Sequence, residues 1–446
     1  MHYLDYLVAS HHFGPPLGLA SVCSAHPLVI EAALRHGLTQ PQPVLIEATC
    51  NQVNQFGGYT GHTPADFACF VQQIAARLGF PGERLMLGGD HLGPLPWAGE
   101  PAQSAMQKAA DLVHACVQAG FNKIHLDCSM PLGGERDLPL KVIAERTAIL
   151  AEIAETTLRE ARNSYPEFRI PNSEFRIPNS EFRISNPDLR YVIGSEVPPA
   201  GGAKAGETHL AVTAPEAAAE TLELTRRAFQ GRGLDSAWER VRALVVQPGV
   251  EFGDETVHEY NRQASSGLAR FIETVPGLVY EAHSTDYQTR AALRALVEDH
   301  FGILKVGPGL TFALREAVFA LAEMETALVA GATSQIRAVL EAAMLANPVH
   351  WQKHYSGLPE RQKFARAYSF SDRIRYYWSQ PAVQAAFDTL LHNLGRQPLP
   401  LTLISQFLPR QYEQIRAGKL KNHPRELLLG RVTDVLEDYA FACRAK

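Results

Sequence analysis

Short apolar runs alternate with longer amphipathic ones along most of the chain. The short runs are Leu19–Ser24, Val44–Cys50, Leu85–His91, Lys123–Cys128, Tyr191–Val197, Ala243–Val250, Leu278–His283 and Ile303–Gly307. Their length and their flanking turn residues predict eight strands. Between them, apolar positions recur at helical spacing over Pro64–Leu78, Pro101–Ala119, Leu138–Arg162, Pro215–Phe229, Glu255–Thr274 and Tyr287–Phe301. Pro64, Pro101 and Pro215 fall near helix starts, where a missing amide hydrogen costs little. Gly79, Gly120 and Gly302 follow helical stretches, as C-terminal caps do. Strict alternation of strand and helix implies a parallel sheet, and eight such units imply closure into a (β/α)8 TIM barrel. The rival is an open doubly wound sheet, but its GxGxxG fingerprint near the start is missing.

After about Gly331 the strands stop. Helical patterns take over at Ser334–Ala346, Pro359–Tyr368, Ser371–Trp378, Pro381–Leu394, Ser405–Ala417 and Pro424–Ala442. The chain therefore divides into a barrel over 1–330 and a helical extension over 331–446, with Trp351 and Trp378 as packing anchors of the latter. A tandem heptapeptide, Pro171-Asn172-Ser173-Glu174-Phe175-Arg176-Ile177 and then Pro178 to Ile184, interrupts the barrel pattern at about 163–188. Its Pro-Asn-Ser steps break any helix, so it reads as a tolerated loop. The recurring Phe and Ile leave a subunit-contact hairpin as the second reading.

Length and composition narrow the function. At 446 residues, 46% hydrophobic and 20% charged, the chain can bury a large core. A net charge of −5 gives no long-range attraction for nucleic acid or an anionic membrane. No apolar stretch approaches the roughly 18 residues that a membrane span needs. Six scattered cysteines without a CxxC pair read as reduced thiols of a cytoplasmic protein, and the first residues lack the pattern of a signal peptide.

Barrel enzymes carry their chemistry at strand C-terminal ends. Those ends here hold Glu47, Asn51, Asp90-His91, Asp127, Ser129, Glu196, Glu251, His283-Ser284 and Asp286. Carboxylates crowded on one rim would repel one another unless a cation or protons intervened. Two imidazoles with one carboxylate are a common metal set that leaves open positions, so His91, Glu251 and His283 are the candidate ligands of one divalent ion. His26, His62 and His125 are read as structural, His125 facing core or helix layer. The Gly57–Gly61 stretch is either a lid over substrate or a plain turn. For an anion, the Gly307-Pro308-Gly309 turn before the Leu310–Met324 helix offers free amides, with Ser284 on the neighbouring loop. Arg373, in Ser371-Asp372-Arg373-Ile374-Arg375, is a cationic phosphate clamp or part of a helix cap.

At these residues the chain resembles the class II ketose-bisphosphate aldolase superfamily. More closely it is similar to the family known as the non-catalytic subunit of tagatose-bisphosphate aldolase, some members of which are described as ketose or ketose-phosphate 4-epimerases. The runs that carry the resemblance are Glu47 to Gly61 (with Asn51 and Gln55), Gly88-Gly89-Asp90-His91-Leu92-Gly93-Pro94, Gly194-Ser195-Glu196-Val197-Pro198-Pro199-Ala200-Gly201-Gly202, Tyr368 to Trp378 and Gly430-Arg431-Val432-Thr433. It spans essentially the full length apart from the heptapeptide insertion. The resemblance implies an acid/base role for Asp90, metal ligation by His91 and His283, and a carboxylate near the metal at Glu196. Glu251 stands where the catalytic aldolases have a second histidine. A carboxylate there makes Mn, Co, Ni or Mg competitive with Zn.

The chemistry that fits is inversion of C4 in a ketose or ketose phosphate. The C4 hydroxyl is β to the C2 carbonyl, so its deprotonation opens the C3–C4 bond, and the aldehyde can rotate and recombine. A divalent ion would polarise the sugar as a Lewis acid. Transient oxidation would need NAD, against which the missing fingerprint argues. Asp90 and Glu196, with Asp127 behind them, are the expected proton carriers, and Glu47, Asn51, Gln55, Ser129, Ser284, Asp286, Gly307 and Arg373 the expected substrate contacts. The expected reaction is fructose 6-phosphate to tagatose 6-phosphate, in a homo-oligomer. The alternatives are a stabilising partner subunit of a tagatose-1,6-bisphosphate aldolase, or the aldolase itself.

Overall fold

The computed structural model describes residues 2–164, 174–176, 183–185, 188–195 and 210–445. Eight parallel strands close into a barrel: β1 Leu19–Cys23, β2 Val44–Thr49, β3 Leu85–Leu92, β4 Lys123–Leu126, β5 Arg190–Gly194, β6 Val241–Val245, β7 Val279–Ala282 and β8 Phe301–Val306. Each pairs with its neighbours in sequence, and β8 returns to β1 through Leu19↔Ile303 to Val22↔Val306. The (β/α)8 reading therefore holds.

Why the barrel forms is visible in strand parity. Outward residues such as Ile46, Leu87, Ile124 and Leu244 join the apolar layer beneath the helices. Inward residues stack in layers. The bottom layer is apolar, made by Leu19, Leu45, Met86, Val192, Ala243, Val245, Val279 and Ile303. A helix over Tyr3–Phe13, which the sequence pattern did not reveal, plugs that end with Leu4, Leu7 and Val8. Gly302 is not a helix cap. It lies in β8, where a Cβ would meet Leu7 Cδ2 at 2.7 Å, so its bareness lets the plug seat.

Helix starts follow the expected chemistry. Thr63 and Asp66 form a reciprocal cap before Pro64–Leu78, and Gly79 closes that helix at φ 66°. Two predicted helices shorten, Glu255–Thr274 to Ser266–Glu273 and Tyr287–Phe301 to Arg290–Glu298. The predicted sixth strand ends early, at Val245. Glu251 instead sits in a two-residue ladder, Glu251–Phe252 paired with Val257–His258. In the insertion, Glu174–Arg176 pairs antiparallel with Arg183–Ser185.

The extension is helical as expected, at Ile336–Ala346, Pro359–Tyr368, Pro381–Leu394, Leu401–Phe407, Pro409–Arg416 and Pro424–Cys443. Pro409 divides the predicted Ser405–Ala417 segment, because proline cannot supply the amide that would continue the ladder. The last helix lies against Pro27–Leu38, Arg290–Glu298 and Pro308–Leu328 of the barrel. Its Leu427, Leu428, Val432 and Leu436 belong to the same apolar cluster as the barrel's outer layer. The predicted Ser371–Trp378 helix shortens to a single 3-10 turn over Arg373–Tyr376, folded onto the barrel rim. Among the described residues no helix is long and apolar enough to cross a membrane, and no cysteine is in a disulfide.

Candidate metal and sugar site

Consecutive strand residues normally point to opposite faces. Asp90 and His91 break that rule. The β3–β4 register shifts between Gly89 and Leu92, and His91 takes a left-handed φ of 47°. Asp90 thus points inward while His91 turns over the mouth. Ser284 and Asp372, at φ 52° and 43°, are two more non-glycine residues in this region, and Ser284 lines the same cavity. Such conformations cost of order 1–3 kcal/mol each and persist where surroundings impose them.

Ligand atoms of Asp90, His91, His125 and His283 lie within 4.8 Å of one another. His125 was expected to be structural. It instead shares inward parity with Lys123 on β4, and its ring sits 4.8 Å from His91 and 5.3 Å from His283. The signal that could have found it is Lys123 two residues earlier, since a strand lysine cannot face an apolar helix layer.

Hydrogen bonding shows what the imidazoles are prepared for. His125 Nε2 is 2.9 Å from the Gly194 carbonyl, which requires N–H there. Its Nδ1 lies 3.2 Å from the His91 amide nitrogen and 3.0 Å from Asp90 Oδ1. A proton on Nδ1 joins it to the Asp90 carboxylate, and a divalent cation in place of that proton would be shared by the same two groups. His91 Nδ1 meets Asp127 Oδ2 at 2.7 Å, the arrangement in which a carboxylate orients a metal-binding imidazole through its other nitrogen. The donor set fits a divalent ion.

Below this lies a buried ionic layer. Lys123 is fully buried, with Nζ 2.7 Å from both Glu47 Oε1 and Glu281 Oε2. Gly88 makes room for Glu47, since a Cβ there would sit 2.2 Å from its Oε1. Ser21 donates to Glu47, and Lys305 pairs with Asp90. Burial would raise the pKa of Asp90, but His91, Lys305, His125 and His283 outweigh it and hold the carboxylate well below its usual range. Burial likewise opposes ionisation of Glu281, and Lys123 and His283 overcome it. Glu47 goes the other way. Its burial, with Glu281 and Asp90 nearby, raises it despite Lys123.

A cavity of about 530 Å3 opens above these layers. The barrel lines it with Cys23, Asn51, His91, Asp127, Ser284, Asp286, Lys305 and Gly307, and the extension adds Ser371, Arg373, Arg375, Tyr376 and Trp378. Trp378 is therefore both a packing anchor and a wall of the cavity. His26 and His62, read as structural, line it as well. Tyr59, from the glycine-rich loop, meets the Tyr376 ring at 4.5 Å, and Asn54 Oδ1 accepts the Phe56 and Gly58 amides, so the loop is a hydrogen-bonded turn here.

The other expected site residues are dispersed. Glu251 is buried outside the histidine group, its Oε1 accepting the Phe252 amide at 2.9 Å. Gln55 donates to the Lys108 carbonyl at 2.9 Å and the Ser129 amide donates to Asp127 Oδ1 at 2.9 Å; neither residue lines the cavity. Glu47 lies beneath it. The Gly307 and Gly309 amides, expected to await a phosphate, are held by Asp286 Oδ1 at 2.9 and 2.7 Å. Glu196 and the Val197–Gly202 part of its motif lie outside the described residues.

A family model for D-tagatose-1,6-bisphosphate aldolase subunit GatZ/KbaZ-like proteins matches residues 4–444. A crystal structure described as a probable tagatose 6-phosphate kinase from Sinorhizobium meliloti is 46% identical, covers 96% of this chain and 100% of its own, and superposes with a TM-score of 0.84. A fructose-bisphosphate aldolase from Campylobacter jejuni is 13% identical, with coverage of 88% and 90% and a TM-score of 0.40, too distant to carry an argument. The chain belongs to the GatZ/KbaZ-like family of D-tagatose-1,6-bisphosphate aldolase subunits.

Proposed function

We propose that this protein is a metal-dependent ketose 6-phosphate 4-epimerase that interconverts fructose 6-phosphate and tagatose 6-phosphate. The observation that carries the reading is the convergence of Asp90, His91, His125 and His283 beside a cavity of about 530 Å3. His91, His125 and His283 would hold the ion. When bound, it supplies Lewis-acid polarisation of the ketose carbonyl.

The remaining work falls to side chains. Asp90, kept ionised by its cationic neighbours, accepts the proton of the C4 hydroxyl. The freed electron pair forms the C4 carbonyl, the C3–C4 bond breaks, and its pair is delocalised over C2 and C3. The aldehyde turns within the cavity, C3 attacks its other face, and a proton returns to the C4 oxygen. The opposite epimer needs a second proton carrier, a role we assign to Glu196. Asp127, on the cavity wall, orients His91. Asn51 and Ser284, both on the cavity wall, are positioned for sugar hydroxyls.

Purified protein incubated alone with fructose 6-phosphate and Mn or Zn should form tagatose 6-phosphate, seen by 13C NMR, and lose that activity on chelation. Asp90→Asn should slow turnover by about 10²–10⁴-fold. No product under any metal loading, or full activity after exhaustive chelation, removes the reading.

The family description favours a second reading, a non-catalytic subunit that supports a class II tagatose-1,6-bisphosphate aldolase. It predicts no epimerisation by the protein alone, and higher or longer-lived aldolase activity when the two chains are mixed.

A further inference from the structure

We propose that Arg373 and Arg375 of the helical extension form the subsite for the terminal phosphate of the sugar. This rests on the reading that the cavity takes a ketose, and it names which part of the chain distinguishes a phosphorylated ketose from a free one.

The helix-terminal amides at Gly307 and Gly309 are already given to Asp286, so a phosphate must find its donors elsewhere. The two arginines line the same cavity. Asp372 immediately precedes Arg373 in sequence, but its carboxylate is turned to the barrel. Thr311 donates to Asp372 Oδ2 at 2.6 Å, and Arg315 Nε is 3.8 Å from Oδ1. The left-handed φ of 43° at Asp372 fixes this turn against the rim.

Among the described residues, neither Arg373 nor Arg375 has a carboxylate within 4.0 Å. Their partners are neutral oxygens. Arg373 Nη1 donates to the His350 carbonyl at 2.9 Å. Arg375 donates to the Ser371 and Asp372 carbonyls and, at 3.0 Å, to the Tyr376 hydroxyl. Carbonyls aim a guanidinium without neutralising it. Arg373 is 9% exposed, and among the described residues its buried Nε has no hydrogen-bond partner. Burial lowers the Arg373 pKa, with the charge of Arg375 adding to it. Arg375 is half-buried and is supported by the nearby charge of Asp372, whereas the buried Arg373 beside it is costly without an anion. Guanidinium forks match a phosphate's oxygens in geometry and charge.

Binding of fructose 6-phosphate, fructose and inorganic phosphate to the metal-loaded full chain should be measured by calorimetry. Fructose 6-phosphate should bind at least about 10-fold tighter than fructose, and inorganic phosphate should compete with it. Arg373→Gln and Arg375→Gln should each weaken fructose 6-phosphate by about 10–100-fold and leave fructose unchanged. Folded variants with unaltered fructose 6-phosphate affinity overturn the subsite, as does stronger competition by a sugar carboxylate than by phosphate. If a variant fails to fold, competition in the wild type decides. Absence of epimerisation with arginine-dependent binding refutes the epimerase and leaves the subsite standing. Epimerisation with KM unchanged in the variants does the reverse.

Discussion

Lys123 is the residue on which the barrel interior turns. A fully buried ammonium between Glu47 and Glu281 is tolerable only because both carboxylates lie 2.7 Å away. Removing it leaves two acids facing one another out of reach of water. We therefore expect Lys123→Met to lower unfolding free energy by about 3–5 kcal/mol in urea titrations, and a loss below about 1 kcal/mol would show the triad to be dispensable. His125 carries a related lesson. Its type and position were plain in the sequence, but its direction was not. One step of strand parity decides between helix layer and barrel interior, and only the neighbouring Lys123 betrays which applies.

Elements were legible where one physical rule governs them. Eight strands and their order follow from alternating runs and short connections. What escaped was local irregularity. The β3 bulge that sends Asp90 and His91 to one site has no periodic signature. The helix over Tyr3–Phe13 is amphipathic only weakly, because its partner is the barrel's open bottom rather than a flat layer. It is tied there by Asp5, which accepts hydrogen bonds from Arg190 on β5 at 2.7 and 2.6 Å and from Arg242 on β6 at 2.6 Å. Burial would raise the Asp5 pKa, but these bonds lower it from 3.8 to about 2. A depressed carboxylate pKa stabilises above its unfolded value and ceases to as pH falls through its folded value. Asp5→Asn should therefore be less stable than wild type at pH 6, with the difference shrinking between about pH 4 and pH 2. A difference constant across that window would show that the plug is held by packing alone.

At the scale of the molecule, the extension completes the site as well as the core. Its arginines and aromatic rings wall a cavity that the barrel leaves open, while its last helix shares the barrel's apolar cluster. We propose that the two unfold together. Binding a metal to the folded chain should stabilise it by about 2.7 kcal/mol at a hundredfold excess over Kd, raising Tm in a calorimetric titration with Mn or Zn. His125→Gln should abolish that rise and Glu251→Gln should retain it. The opposite pattern would return Glu251 to the ligand set in place of His125.

The amino-acid sequence by itself determined the barrel, the helical extension, the carboxylate- and histidine-rich rim and the family. Each of these depends on residue type at regular spacing, which any reader of the chain can count. The tertiary structure alone decided which side chains converge, because bulges, left-handed residues and strand parity act through three-dimensional contact. It brought His125 to Asp90, gave the Gly307 and Gly309 amides to Asp286, and set two arginines from a distant segment against the cavity.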